Sequence, residues 1–418
     1  MSSELPGRRI PARFRSCPRY PPAMRRLLPL SLLFLASAQA APIRIEFWHA
    51  MNQGTVAGYA RDFNRSQSAY EVVPVAGGNY RELNDKLGAA LKAGKAPALA
   101  QVEFTRFARL AADGQLADLS RLTDALPDSL TRDVYAPAWR AGEVNGKRYG
   151  LPWNISVPVL MYNAGTFRRS GVTPPQTWAE VEATSRKLAT GGRRPLVATA
   201  DAWTFEANVT SRGGSLVLNG RPNLNGPEAV EALTQLARMS DAGLAQPRKL
   251  SEATRAAFDF ARGQNVMVAA SVANWTDARR LPFFQLGIAP FPCEKVGPCS
   301  LPLGGAHLVV PRGANAQEQA GALAFWQFLM DPDRLAEWVK STAYAPTRRS
   351  VTPLLSDWYA KNPQIRAAHA QLDRAVPRPS APAFEAWTLL LEDAISQATT
   401  GKLSAKAALD EAQRRAER

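Results

Sequence analysis

From Ala41 onward, apolar positions recur with two alternating periods. Ile43 to His49 (IRIEFWH) repeats at every second residue and predicts a β-strand. Thr55 to Ser66 instead sets Val56, Tyr59, Ala60 and Phe63 on one face of a predicted helix. Glu71 to Val75 predicts a second strand. Tyr80 to Lys92 predicts a second amphipathic helix, closed by Gly94. Leu99 to Glu103 predicts a third strand, followed by a helix through Leu110. Strands and helices of this length in alternation predict a parallel α/β sheet.

At Glu143 the pattern changes. EVNGKRYGLPW holds Asn145-Gly146 between two short strand-like runs, a sequence that favours a tight hairpin turn. Ser156 to Tyr162 (SVPVLMY) then predicts a strand that opens a second α/β series. That series has predicted helices at Trp178–Leu188, Ala229–Met239 and Glu252–Arg262, and strands at Asn265–Ala270 and Leu286–Pro290. A strand at Ala306–Val310 follows, then helices at Gln317–Met330, Asp333–Lys340, Phe384–Thr399 and Ser404–Ala416. Two α/β units joined by several crossings predict two lobes around a cleft. The expected first lobe takes residues 41–150 and 306–343, and the second takes 151–305 and 344–418.

The residues before Ala41 have a different character. Met24-Arg25-Arg26 gives a positive start, Leu27 to Ala36 is apolar, and Ala38-Gln39-Ala40 offers a small-x-small cleavage site. Together they predict a signal peptide, with Met24 the expected initiator and export to the periplasm. The apolar run is too short to span about 30 Å of hydrocarbon. No later stretch approaches eighteen consecutive apolar residues, so the mature chain is expected to be soluble. Its 378 residues suit two lobes. The formal charge of +15 falls to +9 from residue 41 onward, from 44 Lys+Arg against 35 Asp+Glu. These charges are scattered and form no basic block, which argues against nucleic-acid binding. Cys17 lies in the leader. Cys293 and Cys299 flank a Gly-Pro turn in FPCEKVGPCSL and are expected to pair in an oxidising compartment.

Candidate chemistry is sparse. His49, His307 and His369 have no partner at metal or relay spacing, and are expected to be packed or hydrogen-bonded. Gly-x-Ser-x-Gly, GxGxxG and Walker patterns are missing, so no catalytic residue, cofactor or metal is expected. Polar and aromatic residues instead collect at strand ends and turns, the positions that face a cleft in an α/β protein. They are Tyr80 after Gly77-Gly78-Asn79, Glu103, Ser156, Trp203, Ser271, Gly304-Gly305 and Tyr344. Aromatic faces cover the C–H surface of a polyol, and hydroxyls and backbone N–H groups hold its oxygens.

Over most of residues 43–415 the chain resembles the periplasmic sn-glycerol-3-phosphate-binding proteins of ABC importers, within the extracellular solute-binding family that includes maltose-binding proteins. The likeness is densest at IEFWHAM (45–51), GNYRELNDKL (78–87), YGLPWNISVPVLMYN (149–163), GGAHLVVP (304–311) and TAYAPTR (342–348). It implies a two-lobed binding protein that closes on a small ligand, works as a monomer with membrane permease subunits, and carries out no reaction. It also implies ligand contacts at Tyr80, Ser156, Ser271, Gly305 and Tyr344. Three positions depart from the family pattern. Its acidic residue aligns with Phe104, one place beyond Glu103. Its tryptophan pair is reduced to Trp203, with the Asp201 region in place of the other. Its C-terminal arginine is matched only out of register, by Arg378. A helix at Val272–Leu281 is expected to offer its N-terminus to an anion. The implied ligand is glycerol 3-phosphate or a glycerophosphodiester. An oligosaccharide or polyol is the alternative, and an exported hydrolase a remote one.

Overall fold

Two five-stranded sheets organise the computed structural model, which describes residues 41–280 and 285–418. The predicted signal peptide, with Cys17 and Met24, lies outside the described residues. The first sheet uses β1 (Ile43–His49), β2 (Tyr70–Ala76), β3 (Leu99–Glu103), β4 (Gly150–Ser156) and a late strand, Gly304–Val309. The second uses β5 (Pro158–Asn163), β6 (Leu196–Ala200), β7 (Ala245–Lys249), β8 (Met267–Ser271) and β9 (Leu286–Pro290). The late strand of the first sheet is β10. The strand orders are β2-β1-β3-β10-β4 and β7-β6-β8-β5-β9.

Within the first sheet β1 runs parallel to β2 and β3, whereas β10 is antiparallel to both β3 and β4. Three helices link its opening strands: α1 (Gln53–Ser66) before β2, α2 (Tyr80–Lys92) before β3, and α3 (Phe104–Ala112) after β3. The alternation in β1 survives as burial of Ile45, Phe47 and His49. Strand β3 is buried along nearly its whole length, as a central strand covered on both faces must be. The Asn145-Gly146 turn has positive φ at both residues (51° and 73°) and joins a short antiparallel pair, as its sequence predicts. Among the described residues no helix is long and apolar enough to cross a membrane.

Three expected boundaries shift. The run Ser156–Tyr162 is not one strand: β4 ends at Ser156, Val157 crosses between the sheets, and β5 starts at Pro158. Residues 151–156 therefore belong to the first sheet, because β4 pairs with β10. The return crossing likewise falls before Gly304, not at 306, and residues after 344 still pack on the first lobe, with Ala345 bridging Ile155. Residues 196–211, to which the periodicity gives no element, form β6 and helix α4 (Ala202–Ser211). The expected helix from Val272 is, among the described residues, a 3₁₀ turn at Val272–Asn274 and a single turn at Trp275–Ala278. So short a helix has little dipole to offer an anion.

The first lobe's core centres on Phe47, Trp153, Phe325 and Trp326, and continues through Val157 and Val159 into the crossing. The second lobe's core packs Trp178, Phe205 and Leu233 against Phe384 and Leu391 of α5 (Phe384–Thr399). Cys293 and Cys299 form a disulfide with sulfurs 2.03 Å apart.

Candidate functional site

Strand ends of both sheets meet where the chain crosses between them. Glu103 ends β3, Ser156 ends β4, Ser271 ends β8, and Gly304-Gly305 open β10. The register places Gly304 opposite Ser156 and Ala306 opposite Glu103 on the first sheet, and Ser271 opposite Pro158 on the second. Ser156 and Ser271, from different sheets, have their hydroxyl oxygens 2.5 Å apart.

Tyr80 owes its place to local sequence. Gly78 has φ +92°, and a Cβ there would come within 1.8 Å of a Glu82 carboxylate oxygen. Only glycine fits such a turn. Asn79 then caps α2 in a reciprocal box with Glu82, which fixes Tyr80 as the first helical residue. The Tyr80 hydroxyl accepts hydrogen bonds from Asn154 Nδ2 (2.7 Å) and Gln101 Nε2 (3.3 Å), and bonds the hydroxyl of Tyr344. Gln101 Nε2 also donates to Asn154 Oδ1 at 2.8 Å. Burial, reinforced by Tyr344, pushes the Tyr80 phenol well above its ordinary pKa, so the pair stays neutral.

Tyr344 follows a helix (Pro332–Thr342) that ends at Ala343 in a left-handed conformation (φ 59°). Its ring stacks on Trp338 with centroids 6.0 Å apart, and Trp338 stacks on Trp153 at 5.0 Å. Trp203 lies in the first turn of α4, which Asp201 caps by accepting from Thr204 N (2.9 Å). Its indole presses on the opposite lobe: a Cβ on Gly304 would sit 2.5 Å from Trp203 Cζ2. The buried Trp203 Nε1 has no protein partner. Gly305 has φ +110°, and a Cβ there would meet the Asn154 carbonyl at 1.9 Å.

The one-residue shift at Glu103 has a structural answer. Strand β3 turns directly into α3, so Phe104 drops into the core against His307 (centroids 4.5 Å apart) while Glu103 stays part-exposed. Glu103 caps nothing and lies 3.6 Å from Arg378 Nη1. Arg378 is buried, and its Nε and Nη2 both donate to Glu206 Oε2, at 2.9 and 2.7 Å. Its charge is therefore answered by two carboxylates, and it is no free anchor for an anion. Burial pushes the pKa of Glu103 and Glu206 up, against the pull of Arg378. Glu392 of α5, beside Asp201, is pushed up to about 7, chiefly by burial.

The periodicity passes over Gln101, Asn154, Glu206 and Glu392. The first two are polar residues inside otherwise apolar strands, a placement that demands buried partners. Glu206 and Glu392 leave no comparable mark in the sequence. The three histidines are packed: His49 Nδ1 accepts from Met51 N, His307 Nε2 donates to Ala141 O, and His369 bonds Tyr359 and Ala343. No cluster able to hold a metal exists among the described residues.

Residues 58–367 match the model of the bacterial extracellular solute-binding protein family. The sn-glycerol-3-phosphate-binding periplasmic protein UgpB of Yersinia pseudotuberculosis is 27% identical over 413 residues, covering 92% of this chain and 94% of that protein. UgpB from Mycobacterium tuberculosis, solved with glycerophosphocholine, superposes with TM-score 0.80 at 22% identity, over 90% of this chain and 98% of that one. The cyclic alpha-maltosyl-1,6-maltose binding protein from Arthrobacter globiformis gives TM-score 0.76 at 25% identity, over the same 90% and 98%. These relatives are binding proteins, and the chain is a binding protein and not an enzyme. With two α/β lobes, strand ends meeting between them and this match over most of its length, the chain belongs to the bacterial extracellular solute-binding protein family.

Proposed function

We propose that the chain is the periplasmic solute-binding component of an ABC importer. It works as a monomer and carries a glycerophosphodiester, in preference to glycerol 3-phosphate, between its lobes to a membrane permease. The observation that carries this is the meeting of Tyr80, Tyr344, Trp203 and the Ser156–Ser271 pair at the inter-lobe crossing. Aromatic faces there suit the C–H surface of glycerol, and hydroxyls suit its oxygens. The relatives' names support the glycerol-phosphate class. The leader, with its charge, apolar run and cleavage site, supports export.

The diester is preferred on charge. Asp201 acts on Glu103, Glu206 and Glu392, and Glu103 acts on Glu392, against Arg378 within the site and Arg81 at its edge. A phosphate monoester carries about −1.5 to −2 at pH 7. A diester lacks the second ionisation, and is held more easily by neutral donors such as Ser156, Ser271 and the Gly305 backbone. A second reading, an oligosaccharide or polyol, draws on the same saturation of Arg378 by carboxylates and on the maltosyl-sugar-binding neighbour.

Titration calorimetry with glycerophosphocholine, glycerol 3-phosphate and maltose tests these readings. The expected order is the diester tightest, with the monoester at least about tenfold weaker, a 1.4 kcal/mol difference. A monoester that binds as tightly as the diester overturns the charge argument. Maltose binding with neither phosphate compound bound moves the protein to the sugar class.

A further inference from the structure

Helices α2 and α3 start at the site, with Tyr80 first in α2 and Glu103 immediately before α3. Each helix also carries an arginine to the other lobe. Arg106 Nη1 of α3 lies 3.1 Å from Glu385 Oε1 of α5, with only 20% and 34% of the side chains exposed. Arg81 Nη2 of α2 lies 3.9 Å from Glu392 Oε2, two turns further along α5. The Arg106 guanidinium crosses α2 at Gly88, where a Cβ would stand 2.8 Å from Nη2. A larger residue at 88 would push the arginine out of its path. Helix α5 otherwise belongs to the second lobe, where it packs on α4 and β6, and it packs on α3 across the divide.

None of these residues lies in the stretches that cross between the sheets, at Val157 and before Gly304, or in residues 375–376, which pair with 301–302 before the chain enters α5. No continuous backbone holds the pairs together, so separation of the lobes must break them. They are also distinct from the buried Arg378–Glu206 pair, in which Glu206 lies within α4 and Arg378 precedes α5.

We propose that Arg106–Glu385 and Arg81–Glu392 form a clasp on the cleft's rim that holds the lobes together and slows ligand release. The clasp extends the reading of the chain as an inter-lobe binding protein, but it does not depend on which ligand is bound. The four residues are positioning residues. Arg106 hydrogen-bonds Glu385 and Arg81 lies within ion-pair distance of Glu392, and they act on the site by fixing Tyr80 and Glu103 against the second lobe.

The test is a charge exchange. Arg106→Glu and Glu385→Arg each place like charges across the rim, and the double variant restores an opposite pair. Small-angle X-ray scattering of the ligand-free protein reads the lobe separation directly. Each single variant is expected to increase the radius of gyration and shift the open-to-closed ratio about two- to fivefold, as a part-shielded ion pair allows. The double variant is expected to return toward wild type. Stopped-flow release of glycerophosphocholine should accelerate by the same factor in each single variant, with the association rate little changed. Arg106→Gln, with circular dichroism to verify folding, gives a milder version of the same shift. Unchanged scattering in the single variants, or a double variant no closer to wild type than either single, overturns the clasp. Normal scattering shifts with no glycerophosphocholine binding would leave the clasp standing and overturn the ligand class instead.

Discussion

Trp203 reaches across from α4 to a glycine of the other lobe, and that contact depends on the absence of one carbon atom at residue 304. An aromatic side chain placed between lobes can cover a ligand and also register whether the lobes have met. Trp203→Ala is expected to weaken binding of the preferred ligand by about 1–3 kcal/mol through lost contact area, measured by calorimetry. Binding at wild-type strength would assign Trp203 to packing alone. Single residues were unevenly legible in the sequence. Tyr80 stood out because Gly-Gly-Asn before it demands a turn and a cap. Gln101 and Asn154, which hold the Tyr80 hydroxyl, are hidden within strands whose other residues are apolar. Arg378 could be placed near the site, but its two carboxylate partners could not be inferred from spacing, since Glu206 lies 172 residues away.

At the level of elements, periodicity reads well wherever one face is wet and the other dry. It therefore recovers α1, α2 and β1. It gives nothing for β6 and α4, because LVATA and AWTFEANVTS are buried nearly all round and show no period. The strand β4 and its successor β5 follow one another with Val157 alone between them, and only Pro158 marks where one sheet ends and the next begins. The disulfide loop was legible from its flanking turn. It is tied to the rest of the second lobe: Cys293 N donates to Gln176 O (2.9 Å) and its carbonyl accepts from Trp178 N (3.0 Å), while Glu294 pairs with buried Arg212. Cys293→Ser with Cys299→Ser is expected to cost about 2 kcal/mol in urea unfolding, the modest value of a short loop. Two thiols titrating in the unreduced, denatured wild type would show the bond does not form.

For the molecule as a whole, burial of neutral histidine sets an acid limit. Burial holds His307 down to about 3 and His369 to about 4. In the unfolded chain each titrates near 6.5. Above that value neither costs anything. As the pH falls below it, the unfolded state takes up protons that the native state refuses, and stability is lost until the native histidines titrate in turn. At full slope the loss is about 1.4 kcal/mol per histidine per pH unit. Carboxylates with raised pKa, such as Glu103 and Glu392, act in the opposite sense. The clean measurement is therefore the difference between wild type and His307→Gln in urea unfolding at pH 7.5, 6 and 5. The variant is expected to show a shallower decline, and parallel curves would remove His307 from the account.

The first sheet also has a consequence for the order of synthesis. Its strand β4 has β10 as its strand neighbour and otherwise only the bridge from Ala345 to Ile155, later still in the chain, and β3 meets β1 at two residues and otherwise relies on β10 as well. Chain growth runs from the N-terminus, so Gly150–Ser156 is made long before Gly304–Val309 exists to receive it. All five strands of the second sheet are complete in that interval, and its disulfide joins residues only six apart. The sheet that begins first thus closes last, although the second lobe's core still waits for α5. Until then its half-built sheet presents an unpaired, wholly buried-type edge, the kind of surface that invites wrong partners. A nascent chain of this design gains from being kept unfolded until the ribosome has passed residue 309.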